Sequence, residues 1–142
     1  MRRSLADGYA LDDDRDRIDV DAVHDFLATE AYWVPGRSRD TIERLIREST
    51  RVIGAYAPDG SLVGFARVMS DGSNIAWLGD VFVLPAHRGA GLGVELVHEA
   101  VEDPRSAHCL WYLNTRDAHG LYERFGFQPA DPGRTLIRPA RT

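Results

Sequence analysis

The sequence predicts a single α/β domain over residues 1–142, in which helices flank a mixed, mostly antiparallel sheet. Three observations support this prediction. The length of 142 residues is typical of one domain. Three β-rich runs follow one another with tight turn signals between them, as in an antiparallel meander. Apolar residues repeat at helical spacing on both sides of that meander, which gives the order β-α-α-β-β-β-α-β-α-β.

The N-terminal part is predicted to contain a short edge strand and two helices. The strand is expected at residues 9–12. The first helix is expected to begin at Val20 with Asp19 as its N-cap, because apolar residues then recur on one face. Asp40 and Glu43 have the spacing of a capping box, which predicts the start of the second helix.

The meander and the C-terminal elements follow from turn and helix signals. The three meander strands are expected at residues 52–57, 62–69 and 75–83, with turn-forming residues at 58–61 and 70–73. A helix from about residue 93 should end at Asp103, because Pro104 disfavours a helical conformation before it. The remaining elements are predicted as a strand at 110–115, a short helix at 118–125 and a final strand at 135–138.

Composition and charge disfavour several classes of protein. The formal net charge of −5 disfavours a nucleic-acid partner. No apolar run approaches the ~20 residues of a membrane helix, and none follows the N-terminal arginines as in a secretory signal. The single cysteine, Cys109, cannot form an intramolecular disulfide, and no Cys/His cluster has metal-ligand spacing. We therefore expect a soluble, cytoplasmic protein without a metal and without a nucleic-acid or membrane partner.

The most informative segment is a glycine-rich loop between a predicted strand and a predicted helix. It reads Arg88-Gly89-Ala90-Gly91-Leu92-Gly93. Glycines allow backbone conformations closed to other residues, and amides at a helix N-terminus can bind an anion such as a pyrophosphate. All 17 basic residues are arginine, so the lysine of a nucleoside-triphosphate loop is missing, and the glycine spacing differs from the dinucleotide pattern. We favour phosphate binding over a turn that only reverses the chain.

At these residues the sequence resembles the GNAT superfamily of acetyl-CoA-dependent N-acetyltransferases. The loop matches the family's pattern Arg/Gln-x-x-Gly-x-Gly/Ala. The run from Ala118 to Phe127 matches its second signature, Ala-x-x-Leu-Tyr-x-x-x-Gly-Phe, and the two signatures occur in the expected order. The resemblance covers about residues 52–127. It implies a GNAT-like fold and transfer of an acetyl group from acetyl-CoA to an amine.

The resemblance also implies which residues bind acetyl-CoA. Backbone amides of the loop would hold the pyrophosphate, and the preceding strand would pair with the pantetheine arm and supply an oxyanion donor. Thr115 lies where relatives often have a cofactor-contacting asparagine, and its hydroxyl can replace only one of the amide's hydrogen bonds. The implied cofactor-binding residues are Val81, Phe82, Val83, Arg88, Gly89, Ala90, Gly91, Leu92, Gly93, Val94 and Thr115.

Two residues are candidates for the catalytic chemistry. Tyr122 matches the family's tyrosine that often protonates the departing thiolate, and its place on the apolar face of a short helix also suits core packing. Relatives often carry a glutamate where this chain has Gly79. Asp80 is the only carboxylate of that strand, and strand alternation turns it to the opposite face unless a bulge re-aims it. Asp80 could act as the base, bind the amine's positive charge, or be a structural hydrogen-bond partner.

The hypothesis is an N-acetyltransferase in which a primary amine of a small molecule or peptide attacks acetyl-CoA directly in a ternary complex. Tyr32 and Trp33, between the first two helices, are expected to contact this acceptor, unless they only cover the end of the sheet. The missing glutamate at Gly79 and the replaced asparagine at Thr115 motivate an alternative, a catalytically weak acyl-CoA-binding or dimerisation module. The family resemblance also makes a homodimer an expectation.

Overall fold

The computed structural model describes residues 1–29 and 36–141. Within these residues, one six-stranded sheet has its strands in the order of the chain. The strands are β1 (Arg2–Ser4), β2 (Ala10–Asp12), β3 (Arg51–Tyr56), β4 (Leu62–Ser70), β5 (Ile75–Val83) and β6 (Leu110–Tyr112). Neighbouring strands are antiparallel, except that β6 runs parallel to β5. The predicted meander is thereby confirmed as β3, β4 and β5.

Helices connect the strands and lie on both faces of the sheet. In the described part of the chain they are α1 (Val20–Thr29), α2 (Arg39–Glu48), α3 (Leu92–Val101) and α4 (His119–Glu123). The predicted N-cap of α1 is confirmed, because the Asp19 carboxylate accepts a hydrogen bond from the backbone N–H of Ala22 at 3.1 Å. The helix after the glycine loop begins at Leu92, one residue before the predicted start.

Two apolar layers hold β5 from both sides. Phe82 faces the layer under α1 and α2, where its ring stacks on Phe26 with centroids 4.1 Å apart. Val81 and Val83 pack against the layer under α3, which includes Leu96. Because consecutive side chains of β5 are packed on opposite faces, the backbone of this strand is fixed in place.

The predicted capping box of α2 is wrong. The N-cap is Ser38, whose hydroxyl accepts a hydrogen bond from the backbone N–H of Thr41 at 3.2 Å. Asp40 already lies in the first turn of the helix, so its side chain cannot take the cap position. Glu43 instead forms an ion pair with Arg39 at 3.4 Å. Ser38, two residues upstream of Asp40, therefore takes the N-cap position, where serine is also a preferred residue.

The element order differs from the prediction at both ends of the chain. An additional strand, β1, precedes the predicted first strand and pairs with it. The predicted final strand at residues 135–138 is wrong, because Leu136 and Ile137 are 90% and 84% exposed and no strand forms there. The backbone N–H of Thr135 is bonded within a turn, to the carbonyl of Asp131. β6 also ends at Tyr112, three residues before the predicted boundary, which leaves only a short edge for a further strand.

Candidate active site

The edge of β5 that faces β6 is only partly paired. β4 pairs with β5 from Ala76 to Val83 on one side. On the other side, β6 pairs only with Ile75, Ala76 and Trp77. Because a strand directs backbone groups to both of its edges, the stretch after Trp77 presents groups that no described strand satisfies. Val81, Phe82 and Val83 lie in this stretch, so an extended ligand could add to the sheet there.

The open edge of β5 leads into the glycine loop. Gly89 and Gly91 have φ angles of +90° and +79°, a region that favours glycine, and Gly91 is the N-cap of α3. The first helical hydrogen bond of α3 runs from the N–H of Glu95 to the carbonyl of Gly91, and Gly91 has no capping side chain, so the N–H groups of Leu92, Gly93 and Val94 precede the bonded part of the helix. Amides at a helix N-terminus carry the positive end of the helix dipole. The loop that begins α3 therefore has the features of an anion-binding site.

Arg88 lies at the junction between β5 and the loop. Its Nε donates a hydrogen bond to the backbone carbonyl of Val83 at 3.0 Å. This bond ties the exposed guanidinium to the end of β5 and uses one of its donors. The position suits the predicted role of Arg88 in binding a phosphate.

Helix α4 packs against the start of α3. A Cβ atom at Gly93 would lie 3.8 Å from Cδ2 of Leu121, an ordinary packing distance. Tyr122, the next residue, packs against the same apolar layer as Val81 and Val83. Two elements distant in sequence thus bring the predicted catalytic tyrosine and the predicted donor-binding strand to one layer of the core.

The environment of Tyr122 makes its hydroxyl a weak acid. Its ring meets the ring of Phe127 edge-on, with centroids 5.9 Å apart. Burial first, and the charge of Asp117 second, raise the pKa of Tyr122 to about 12. The phenol is therefore protonated at neutral pH, and it is a weaker proton donor toward a thiolate than a free tyrosine is.

Thr115 has a structural contact at the start of α4. Its hydroxyl oxygen accepts a hydrogen bond from the backbone N–H of Ala118 at 3.2 Å. The N-cap, Ala118, has no side chain that could make a capping bond, and Thr115 accepts the N–H of this residue. The Thr115 hydroxyl keeps its own proton for a further acceptor. Its predicted contact with the cofactor stays a prediction.

A bulge in β5 changes the direction of Asp80. The register between β4 and β5 shifts between Phe65 and Arg67, where β5 contains one extra residue. Asp80 has a φ angle of +53°, a conformation that aspartate tolerates better than most residues. The bulge therefore turns the carboxylate to the face that carries Arg67, which regular alternation would not do.

Two arginines bind the Asp80 carboxylate. Nη1 and Nη2 of Arg37 donate to Oδ2 and Oδ1 at 3.1 and 2.8 Å, and Nε of Arg67 donates to Oδ2 at 2.6 Å. Burial would raise the pKa of Asp80, but the hydrogen bonds and charges of the two arginines outweigh it and hold that pKa below its usual value. The side chain is only 5% exposed. This geometry favours the structural role of Asp80 over that of a general base.

Arg37 and Arg67 were not among the predicted site residues. One signal for Arg67 was available in the sequence, since it interrupts the apolar run of β4. A charge in a buried strand must be paired, and the neighbouring strand has Asp80 as its carboxylate. Arg37 has no comparable signal, because its partner is 43 residues away in the chain.

A cavity of about 790 Å³ adjoins the site on the side of β6, α4 and the C-terminal segment. Thr115 and Tyr122 line it, whereas Val81, Val83 and the glycine loop do not. The cavity is therefore separate from the candidate phosphate site. Tyr32 and Trp33, the predicted acceptor contacts, lie outside the described residues.

Neither a metal-binding group nor a membrane-spanning helix is found in residues 1–29 and 36–141. No three His, Cys, Asp or Glu side chains there are grouped so that they could hold a metal ion. None of the helices is long and apolar enough to cross a bilayer.

Comparison with known proteins identifies the family. A sequence model of the Acetyltransferase (GNAT) family matches residues 20–127, from the start of α1 to the end of the second signature. The chain therefore belongs to the GNAT family of acetyltransferases. The match includes the glycine loop and Tyr122, so both predicted signatures lie inside it.

Two curated relatives that are named N-acetyltransferases are longer than the region they share with this chain. The uncharacterized N-acetyltransferase ycf52 of Pyropia yezoensis is 32% identical over 106 residues, covering 71% of this chain and 60% of that protein. Glucosamine 6-phosphate N-acetyltransferase of Trypanosoma brucei brucei is 33% identical over 81 residues, covering 51% of this chain and 55% of that protein. The chain thus spans 60% or less of the length of each of these relatives.

Solved structures agree with the fold. A protein of the GNAT family from Xanthomonas campestris pv. campestris superposes with a TM-score of 0.86 at 34% identity, covering 94% of this chain and 93% of that one. Rv2747 from Mycobacterium tuberculosis, crystallised in complex with CoA, superposes with a TM-score of 0.69 at 21% identity, covering 85% and 72%. The predicted fold, a single GNAT-like α/β domain with a mostly antiparallel sheet flanked by helices, is confirmed.

Proposed function

We propose that this chain transfers an acetyl group from acetyl-CoA to a primary amine of a small molecule or peptide. One observation carries the proposal: the open edge of β5 runs directly into a glycine loop and the N-terminus of α3, where the amides of the first turn precede the first helical hydrogen bond. An extended thioester that ends in a pyrophosphate matches both features. The CoA complex of the structural neighbour Rv2747 supports acetyl-CoA as the donor.

The donor would bind along one continuous surface. Its pantetheine arm would add to the sheet at Val81, Phe82 and Val83, as peptides do at exposed strand edges. Its pyrophosphate would accept hydrogen bonds from the amides of residues 89–94, with Arg88 adding a positive charge. Thr115 would supply one further contact through its hydroxyl proton.

The reaction proceeds by direct attack in a ternary complex. The neutral amine nitrogen bonds to the thioester carbonyl carbon, and the carbon–sulfur bond breaks. A backbone N–H on the open edge of β5 stabilises the negative charge on the carbonyl oxygen. Tyr122 gives its phenolic proton to the departing sulfur, and the proton lost by nitrogen returns to Tyr122 through solvent. The products are the N-acetylated amine and the CoA thiol, so atoms and charges balance.

Asp80 has a positioning role in this proposal. Its carboxylate is occupied by Arg37 and Arg67, so a further proton or ammonium group would have to displace a guanidinium. The acceptor therefore reacts as the fraction that has already lost its ammonium proton to solvent. The pH dependence of the rate distinguishes this route from base catalysis by Asp80. Here the rate should rise around the pKa of the acceptor amine and not around that of a carboxyl group.

The proposal is tested by measuring thiol release from acetyl-CoA over a panel of amines, polyamines, amino acids, amino sugars and aminoglycosides. Glucosamine 6-phosphate belongs in this panel because the Trypanosoma brucei brucei relative is named for it. Mass spectrometry then identifies the acetylated amine. We expect thiol release that saturates with both substrates and requires both at once.

A catalytically weak acyl-CoA-binding module is the second candidate function. The ion-paired state of Asp80 and the absence of a side chain at Gly79 favour it, because together they leave the strand without an available carboxylate. Calorimetry separates the two functions. Saturable binding of acetyl-CoA without thiol release on any amine would favour the module.

We also propose a homodimer whose contact includes an uncovered apolar surface. Ile75 and Leu110 are direct neighbours across β5 and β6, and they are 45% and 60% exposed. Leu136 and Ile137 on the C-terminal segment are more exposed still. Because one chain presents both an apolar sheet face and an apolar extended segment, a second copy could cover both by twofold symmetry. Sedimentation should give a dimer for the wild type and a monomer for a variant combining Leu136→Ser and Ile137→Ser.

A further inference from the structure

We propose that the amine acceptor carries an anionic group, a carboxylate or a phosphate, and that Arg67 together with Arg37 binds it. This inference rests on the proposed acetyltransferase function and narrows its substrate class. It comes from the charge balance, the unused hydrogen-bond donors and the position of the Arg37–Asp80–Arg67 cluster.

The cluster carries a surplus positive charge. It contains two guanidiniums and one carboxylate, a formal charge of +1 in a chain whose net charge is −5. Among the residues that the structure describes, no second carboxylate forms an ion pair with Arg37 or Arg67. Both arginines are largely buried, with 20% and 15% of their side chains exposed, so solvent screens this charge less than it would on the surface.

The guanidiniums also have donors that the protein does not use fully. In the described part of the chain, the acceptors for Nη1 of Arg67 are the hydroxyl of Ser49 at 3.3 Å and the weakly accepting sulfur of Met69 at 2.9 Å. Nε of Arg37 is buried and has no hydrogen-bond partner among the residues that the structure describes. A guanidinium offers five N–H donors, and leaving buried ones unpaired is costly. A carboxylate or phosphate oxygen is the group that satisfies such donors best.

Arg67 lies close to the open edge of β5, where the thioester is proposed to bind. Arg67 lies opposite Gly79 in the β4–β5 ladder, and its Nε is 3.8 Å from where a Cβ of Gly79 would be. Cε of Met69 at 3.5 Å and Cδ1 of Trp77 at 3.8 Å border the same position, and Gly79 itself adds no side chain between the guanidinium and the following stretch of β5. The stretch proposed to hold the thioester begins two residues later, at Val81. An amine at the thioester would therefore have its own anionic group within reach of Arg67.

A purely structural cluster would not need the second arginine. Arg37 alone binds both oxygens of Asp80 and so neutralises its charge. Removing Arg67 should therefore leave a paired carboxylate and a folded protein. Arg67→Met keeps most of the aliphatic length without the charge, and Arg67→Lys restores the charge. Arg44→Met is the matched control, because Arg44 pairs with Glu48 on the exposed surface of α2 and its loss changes the net charge equally.

The test uses pairs of acceptors that differ only in the anionic group. One arm compares amino acids with their carboxamides, and the other compares glucosamine 6-phosphate with glucosamine. For each pair, kcat/KM is measured with the wild type and the three variants. The comparison between variants cancels the difference in amine basicity within a pair. The two arms distinguish a carboxylate from a phosphate.

We expect the wild type to favour the anionic member of at least one pair by about tenfold to a hundredfold, the range for hydrogen bonds to a charged group. Arg67→Met should abolish most of that preference through KM for the acceptor, Arg67→Lys should restore part of it, and Arg44→Met should retain it. The KM for acetyl-CoA should not change. Two results overturn the inference but leave the acetyltransferase function standing. One is an equal kcat/KM of the wild type for both acceptors of every pair. The other is an equal loss of kcat/KM for both acceptors of a pair in Arg67→Met. No thiol release with any amine overturns the function itself, and the inference with it.

Discussion

Replacing Gly91 by alanine should separate the fold from donor binding in the glycine loop. Gly91 has a φ angle of +79°, and a Cβ atom there would meet no atom within 4 Å. The cost of Gly91→Ala is therefore conformational rather than steric, about 1–2 kcal/mol for a left-handed non-glycine residue. Gly93→Ala is the matched control, because its Cβ would make only an ordinary contact of 3.8 Å with Leu121. Alanine at this helical position should raise the free energy of unfolding by up to about 1 kcal/mol.

The two variants should differ in melting temperature and more clearly in donor affinity. Each 1 kcal/mol corresponds to about 3 °C for a domain of this size. If the loop amides bind the pyrophosphate, a shift of the backbone at Gly91 should weaken acetyl-CoA binding at least about tenfold, equivalent to about 1.4 kcal/mol. Calorimetry with acetyl-CoA and with S-acetylpantetheine, which lacks the pyrophosphate, measures this directly. Gly91→Ala should weaken binding of the first ligand only, and Gly93→Ala should weaken neither. Wild-type affinity for acetyl-CoA in Gly91→Ala, with its lowered stability, would refute the assignment of the loop.

Three further predictions concern Tyr122 and Asp80. Tyr122→Phe should lower kcat about 10²-fold or more in steady-state kinetics. Its affinity for acetyl-CoA, measured by calorimetry, should stay within about twofold of the wild-type value. An unchanged kcat would remove the hydroxyl from the mechanism. The wild-type rate should rise with pH as the acceptor amine loses its proton and should not fall between about pH 8 and pH 10, because the pKa of Tyr122 is raised to about 12. Asp80→Asn should lower the free energy of unfolding by about 3 kcal/mol at neutral pH, since two buried guanidiniums lose their partner. The pKa of Asp80 is lower in the folded state than in the unfolded state, so the charged carboxylate stabilises the fold fully above the unfolded pKa of about 3.9. This contribution to the free energy of unfolding is lost as the pH falls through the folded-state pKa. Urea titrations should therefore show the stabilities of the wild type and Asp80→Asn converging in acid.

Local signals account for the parts of the site that the sequence predicted. The glycines, the preceding β-rich run and the following helical periodicity are short-range features, and they correctly located β5, the loop and α3. Cap selection at α2 was less certain, because Ser38 and Asp40 are both good N-caps. Ile42 and Ile46 face the core with either cap, so the apolar periodicity could not distinguish the two.

Long-range contacts account for the parts that the sequence did not predict. The positive φ of Asp80 and the bulge it creates have no local sequence signal, since glycine is the usual residue in that conformation. The bulge alone decides which face the carboxylate takes and so brings it to Arg37 and Arg67. The tail at residues 135–138 has the composition of a strand but no partner strand in the described chain, and a strand needs a ladder as well as propensity.

The central claim is that this chain moves an acetyl group from acetyl-CoA to an amine. Its most direct test is thiol release from acetyl-CoA by the purified chain with the amine panel, with Tyr122→Phe as the parallel reaction. The account predicts release that requires an amine, an acetylated product identified by mass, and a much lower rate in Tyr122→Phe at similar donor affinity. Saturable binding of acetyl-CoA with no release above the enzyme-free rate on any amine would contradict it.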